Sequence, residues 1–218
     1  EDWIKNGRQG AFEVNNFTSP AFVARVNYHG VKGLRVGASF YYNQTAKNGT
    51  KPWRNTGYKF PVTIVTGDLQ YKGFNNNLIV RGNAVYGNLG ASGALTTINN
   101  SSSAASGYPN TTVAQNAVSY GGEAGYNIGS FFHSKAPRIY PFIRYEYYNP
   151  MEKTEANTGL LADKRFQVSA VTAGLNYYAL PNLVIKADYT HRSIGGGKYN
   201  DENLVSVGIA YIGWFIKK

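Results

Sequence analysis

Arginine and glutamate stand two residues apart at Arg144 and Glu146, and lysine and aspartate two apart at Lys186 and Asp188. Both pairs interrupt runs otherwise rich in tyrosine, isoleucine, valine and alanine. In a β-strand successive side chains point to opposite sides, so charges two apart share one face. The chemistry open to such a face is ion pairing and the solvation of charged or polar solutes. The same alternation assembles a larger polar set. Its basic members are Arg25, Arg35, Lys72, Arg81, Arg144, Lys186 and Arg192, and its acidic members are Glu13, Asp68, Glu123, Glu146 and Asp188. No nucleophile stands beside a base. His29 and His133 fall in short connections and His191 falls on the apolar side of its segment, so no catalytic residue is assigned and the chain is read as a non-enzyme. Absence of cysteine excludes a disulfide framework, a thiolate metal site and a cysteine nucleophile. The carboxylates Glu152, Glu155, Asp163, Asp201 and Glu202 offer oxygen ligands of the kind calcium takes, but loop carboxylates are ordinarily just solvated. No metal or other cofactor is assigned.

The elements that must carry these residues are strands. Ten segments show period-two alternation, near 8–15, 20–29, 34–44, 61–72, 78–89, 117–132, 139–148, 166–179, 183–193 and 204–217. β-branched and aromatic residues dominate them, and helical periodicity is hard to find. Their connections alternate in length. Tight turns at 29–33, 72–77, 133–138 and 180–182 alternate with extended ones at 45–60, 90–116, 149–165 and 194–203. All long loops then emerge at one end and all tight turns at the other. That is the pattern of an up-and-down antiparallel β-barrel spanning a membrane, whereas Greek-key crossings of a sandwich would mix the two ends. The expected fold is therefore all-β: a single domain over 1–218, about ten strands of an antiparallel transmembrane barrel, closed by itself or part of a larger one.

Side-chain sorting by depth supports a membrane rather than a one-sided soluble sheet. Outward aromatics come late in strands of either direction. Tyr28, Tyr71, Tyr177 and Phe215 fall toward the tight turns, and Phe40, Tyr42, Tyr86, Tyr145, Tyr147 and Tyr189 toward the long loops. Between them lie valine, isoleucine, leucine, alanine and glycine. Two aromatic girdles flanking an apolar band mark the two membrane interfaces.

A formal net charge of +10 raises the question of nucleic acid. The 22 basic residues are scattered along the chain with no basic run, whereas a nucleic-acid footprint clusters them on one face, so no nucleic-acid partner is assigned. No segment approaches the roughly 18 consecutive apolar residues of a membrane helix. Glu1-Asp2-Trp3 does not open a cleavable signal, which is read as a mature form or a piece of something longer.

The stretches NGRQGAFE (6–13), LIVRGNAVYGNLG (78–90), EAGYNI (123–128), YPFIRYEYYNPM (140–151), LNYYALPNLVIKADYTHR (175–192) and VSVGIAYIGWF (205–215) resemble the outer-membrane porins of Bacteroidota grouped with the phosphate-selective porin O and P family. The resemblance covers nearly the whole chain, as the C-terminal portion of such a barrel. It implies an outer membrane of a Gram-negative bacterium, lipid around the apolar face, and a water-filled channel for passive diffusion of small hydrophilic solutes or ions. It leaves open a homo-oligomer or a larger outer-membrane complex, and also a binding or structural barrel with no open pore. Phe215 is followed by Ile216-Lys217-Lys218, a departure from the terminal aromatic of outer-membrane proteins. The surplus of inward bases over acids would give a mild anion preference in a wide lumen, and ion-pair networks filling the space in a narrow one. The uncharged segment 90–116 is expected to be a mobile surface loop rather than a constriction, from its Ser, Thr, Asn and Ala content.

Overall fold

The computed structural model describes residues 20–44, 59–101, 112–132, 137–156 and 158–211. Within them nine strands form one sheet whose spatial order is the chain order, every neighbouring pair antiparallel. They are β1 (Phe22–Tyr28), β2 (Leu34–Gln44), β3 (Pro61–Gly73), β4 (Leu78–Leu89), β5 (Asn116–Tyr126), β6 (Arg138–Lys153), β7 (Val168–Leu180), β8 (Leu183–Ile194) and β9 (Asp201–Tyr211). One helix, α1 (Ser92–Ser101), lies between β4 and β5. The fold is an all-β, up-and-down, barrel-like meander. No helix among the described residues is long and apolar enough to cross a membrane.

The expected strand at 8–15 and the end of the last one, 212–217, lie outside the described residues. Nine alternating strands leave β1 and β9 running in the same sense, so antiparallel closure needs an odd number of further strands.

Tight turns are built by local chemistry. Between β1 and β2, Gly33 holds φ 79°, which other residues adopt only under strain. Between β3 and β4, Asn75 and Asn76 hold φ 56° and 67°, while Asn77 N–H donates to the Phe74 carbonyl at 3.0 Å. This mirror-image turn matches the strand twist, and asparagine tolerates it. Phe74 is itself left-handed at φ 50° and its ring is 70% exposed, so strain is not offset by packing. Phe74→Gly is expected to stabilise the folded protein by about 1 kcal/mol, read as a raised denaturation midpoint in urea.

Three boundaries depart from expectation. The segment 117–132 stops as a strand at Tyr126 because Asn127 takes over the ladder: its backbone N–H donates to the Asn77 carbonyl and its side-chain oxygen accepts from Ile139 N–H. A single 3-10 turn at Ile128–Phe131 follows. Strand β6 does not end at Tyr148 but runs through Asn149-Pro150 to Lys153, whose carbonyl accepts from Gln115 N–H. Strand β9 begins three residues early, at Asp201, drawn in by pairing with Ser193 and Arg192. Glu152 in β6, like Asp201 and Glu202 in β9, is therefore a strand residue and not a loop carboxylate.

Apolar burial is inverted relative to a water-soluble sheet. Within the central strand β7 the outward Val171 and Leu175 are 43% and 41% exposed, whereas Thr172 on the polar face is 5% exposed. Burying apolar surface stabilises by roughly 25 cal/mol per Å2, so an exposed face this apolar marks an interaction surface. The buried apolar cluster Phe60, Val62, Leu89 and Val113 lies on the opposite, polar face, where α1 packs on it through Ala94, Leu95 and Ile98.

Candidate functional site

Register places the predicted charges on one face. A line across the sheet runs Arg35, Gln70, Arg81, Glu123, Arg144, Thr172 and Thr190, each the direct partner of the next. The neighbouring line on the same face runs Gly37, Asp68, Asn83, Gly121, Glu146, Ala170, Arg192 and Glu202. Arg25, Lys72, Lys186 and Asp188 share that parity. Glu13 lies outside the described residues. Glu202 joins the set as a fifth described acid, facing Arg192. Extending the alternation back from Ser206 through Leu204 would have found it.

The charged face is the concave one. Arg25 of β1 reaches Asp68 of β3 at 2.7 Å, over Gly37 of the strand between them. Arg192 of β8 reaches the Tyr148 hydroxyl of β6 at 3.0 Å, over Ala170. Adjacent strands stand about 4.8 Å apart, so side chains two strands apart meet readily only where the sheet curls toward them.

Two carboxylates are each held between two arginines. Asp68 has Arg25 at 2.7 Å and Arg35 at 3.6 Å. Glu123 accepts from Arg144 Nε at 2.9 Å and Nη2 at 2.5 Å, with Arg81 at 3.7 Å. Arg192 donates to Glu202 at 2.7 Å, and Thr172 and Thr190 join hydroxyls at 2.8 Å. The Asp68 and Glu123 groupings keep 20–58% of their side-chain surface exposed, so water screens them and each pair is worth about 1 kcal/mol or less. Lys72, Lys186, Glu146 and Asp188 form no ion pair among the described residues.

Two hollows open on this face. One of about 460 Å3 is lined by Arg35, Arg81 and Arg144 against Asp68, Glu123 and Glu146. The other, about 510 Å3, is lined by Arg81, Arg144 and Lys186 against Glu123, Glu146 and Asp188. Bases and acids balance in each. Over the whole described face eight bases, with Arg138 at the start of β6 joining the predicted seven, meet five acids, and the surplus lies outside the hollows.

The segment 90–116 is not simply a mobile surface loop: residues 92–101 form α1, seated on the inner wall. Val62 and Leu89 of the cluster it packs on, and Tyr41 and Ile64 that flank the same cluster, all have the parity of the charged residues. Glu155 accepts from the Gly93 N–H at 2.5 Å, at the helix start where a carboxylate is favoured. At the other side Val113 N–H donates to the Thr96 hydroxyl at 2.9 Å, and that hydroxyl donates to the Ser92 carbonyl. The signal in the sequence was Ala94, Leu95 and Ile98, an i, i+1, i+4 stripe too short to stand out among strands. On the adjoining loop, hydrogen bonds from the Arg165 side chain and backbone hold the Asp163 carboxyl below the usual carboxylate range.

The predicted interface aromatics Tyr28, Phe40, Tyr42, Tyr71, Tyr86, Tyr145, Tyr147, Tyr177 and Tyr189 share the outward parity, and Phe215 lies outside the described residues. Tyr120 and Tyr126 complete both ends on β5, with Tyr120 stacked on Tyr147 at 4.9 Å. His191 faces outward with Asn203 at 3.0 Å. Among the described residues no three metal-binding side chains converge.

These features define a class: an up-and-down antiparallel β-barrel-like wall with a charged concave face and an exposed apolar face. Comparison with protein-family models and with curated proteins finds no match for this chain.

Proposed function

We propose that the chain forms the wall of an outer-membrane porin, a water-filled channel through which small hydrophilic solutes or ions diffuse passively, with at most a mild anion preference. The observation that carries this reading is the inversion of the sheet. Large apolar side chains cover the exposed convex face, and charged ones the concave face. Lipid acyl chains match the first and water the second. The outer membrane of a Gram-negative bacterium, and membership in the porin O and P group, belong to the same proposal and rest on the resemblance quoted above.

One observation favours the second reading, a binding or structural barrel with no open pore. Helix α1 occupies the inner wall at the long-loop end, and narrow lumens fill with their own side chains. Single-channel recording in planar bilayers separates the two. The porin predicts stable ohmic steps that grow when residues 92–101 are replaced by a short glycine-serine link. A barrel that inserts and stays silent with and without α1 would sink the channel.

A further inference from the structure

We propose that the 510 Å3 hollow over β5 to β8 is a subsite for a neutral polyhydroxylated solute, a saccharide of one or two rings. Its volume lies within the roughly 300–1,000 Å3 of small-molecule sites. Its surface combines an aromatic shelf with polar side chains that form no hydrogen bond or close ion pair among the described residues, the Glu146 and Asp188 charges acting on Arg144 only from a distance.

Phe142 makes the shelf. The ring reaches sideways from β6 over Gly174 of β7: its Cε1 and Cζ stand 2.6 Å from where a Cβ at 174 would be, and that same point lies 2.7 Å from the Asp188 Cβ of β8. Glycine at 174 is what lets the ring lie along the wall instead of standing out into the lumen. Tyr140 and Tyr178 close the end of the hollow, their centroids 5.8 Å apart, but Tyr140 is 9% exposed and the Arg138 guanidinium covers the Tyr178 ring at 4.6 Å, so the stacking surface is Phe142, with Arg144 at its edge 5.7 Å from the centroid. The C–H face of a sugar ring is apolar and packs on such a surface, while its hydroxyls need polar partners at the rim.

Asn176, Lys186, Asp188 and Glu146 supply that rim. All four line the hollow, and none makes a side-chain hydrogen bond or ion pair among the described residues. Lysine only donates, the carboxylates only accept and the amide does both. A hydroxyl-rich solute satisfies every one of them. A simple anion would meet Asp188 and Glu146, a simple cation Lys186 and Arg144, and with three bases against three acids the hollow offers neither ion a net field.

This inference rests on the channel reading for how a sugar reaches the wall, but binding itself is measurable apart from conduction. The test is calorimetric titration of the detergent-folded protein with maltose, and with sodium phosphate and glycine as ionic and zwitterionic probes. Saturable maltose binding is expected, weakened about tenfold or more in Phe142→Ala and several-fold in Asn176→Ala, with no saturable binding of the other probes. Should Phe142→Ala lose the heat-modifiable gel shift of a folded barrel, Asp188→Asn removes an acceptor charge at constant shape and is expected to weaken maltose several-fold. Absence of maltose binding to the unaltered protein, affinity unchanged in every folded variant, or uptake of phosphate or glycine in its place would overturn the proposal. A protein that conducts without binding maltose sinks only this inference, and one that binds maltose without conducting sinks only the channel.

Discussion

Leu175→Arg is expected to cost about 2–4 kcal/mol of folding free energy in a bilayer, a loss of roughly 30-fold to 1,000-fold in the folded-to-unfolded ratio. Leu175 sits on the outward face of β7, paired with Pro141 and Ala187, between the aromatics Tyr177 at one end and Tyr145 and Tyr189 at the other. It is 41% exposed. In water an arginine at so exposed a position would change stability by no more than about 0.5 kcal/mol. At mid-membrane the guanidinium must snorkel or drag water and headgroups inward. Urea titration of folding into phospholipid vesicles reads the difference. A cost within about 0.5 kcal/mol would place this face in water and remove the basis of the membrane reading.

Arg144→Glu is expected to reverse the local balance of the lumen and raise the cation-over-anion permeability ratio several-fold, measured as the shift of reversal potential in a salt gradient. Arg144 borders both hollows, and its two short hydrogen bonds hold Glu123. The substitution leaves two bases against four acids in each hollow, within about one Debye length at 0.1 M salt. It also leaves Glu123 with only the distant Arg81, at 3.7 Å, which adds a stability loss of about 1 kcal/mol, because Glu123 remains partly hydrated. A folded, conducting variant with an unchanged reversal potential would refute control of selectivity by this wall.

Much of the molecule was legible in its sequence for one reason: strand periodicity is strictly two. Once Arg144 and Glu146 are assigned to one face, every other inward residue of that strand follows, and pairing then carries the parity to Arg81, Arg35 and Lys186. The apolar and aromatic residues fall on the opposite face by the same rule. Loop lengths marked the tight connections 29–33, 74–77 and 181–182, with asparagine and glycine at the first two, but the alternation fails further on: residues 127–137 join β5 to β6, whereas only 195–200 join β8 to β9. Strand ends were harder to read, because they depend on cross-strand partners. Asn127 stops β5 by bonding Asn77, fifty residues back, and Ile139, and Ser193 and Arg192 recruit Asp201 and Glu202 into β9 across their hairpin; such pairing sets where strands end.

The sequence by itself determined the alternation, hence which residues share a face, because that is a local property of the extended backbone. Only the tertiary structure decided which side chains meet within that face. The glycines at 37 and 174 leave space that Arg25 and Phe142 fill from a neighbouring strand, and the curl of the sheet brings Arg25 to Asp68 and Arg192 to Tyr148. It also decided that residues 92–101 turn back onto the inner wall, because the apolar patch of Val62, Ile64 and Leu89 that receives them exists only once β3 and β4 have paired. Such contacts join residues far apart in the chain, and no local pattern encodes them.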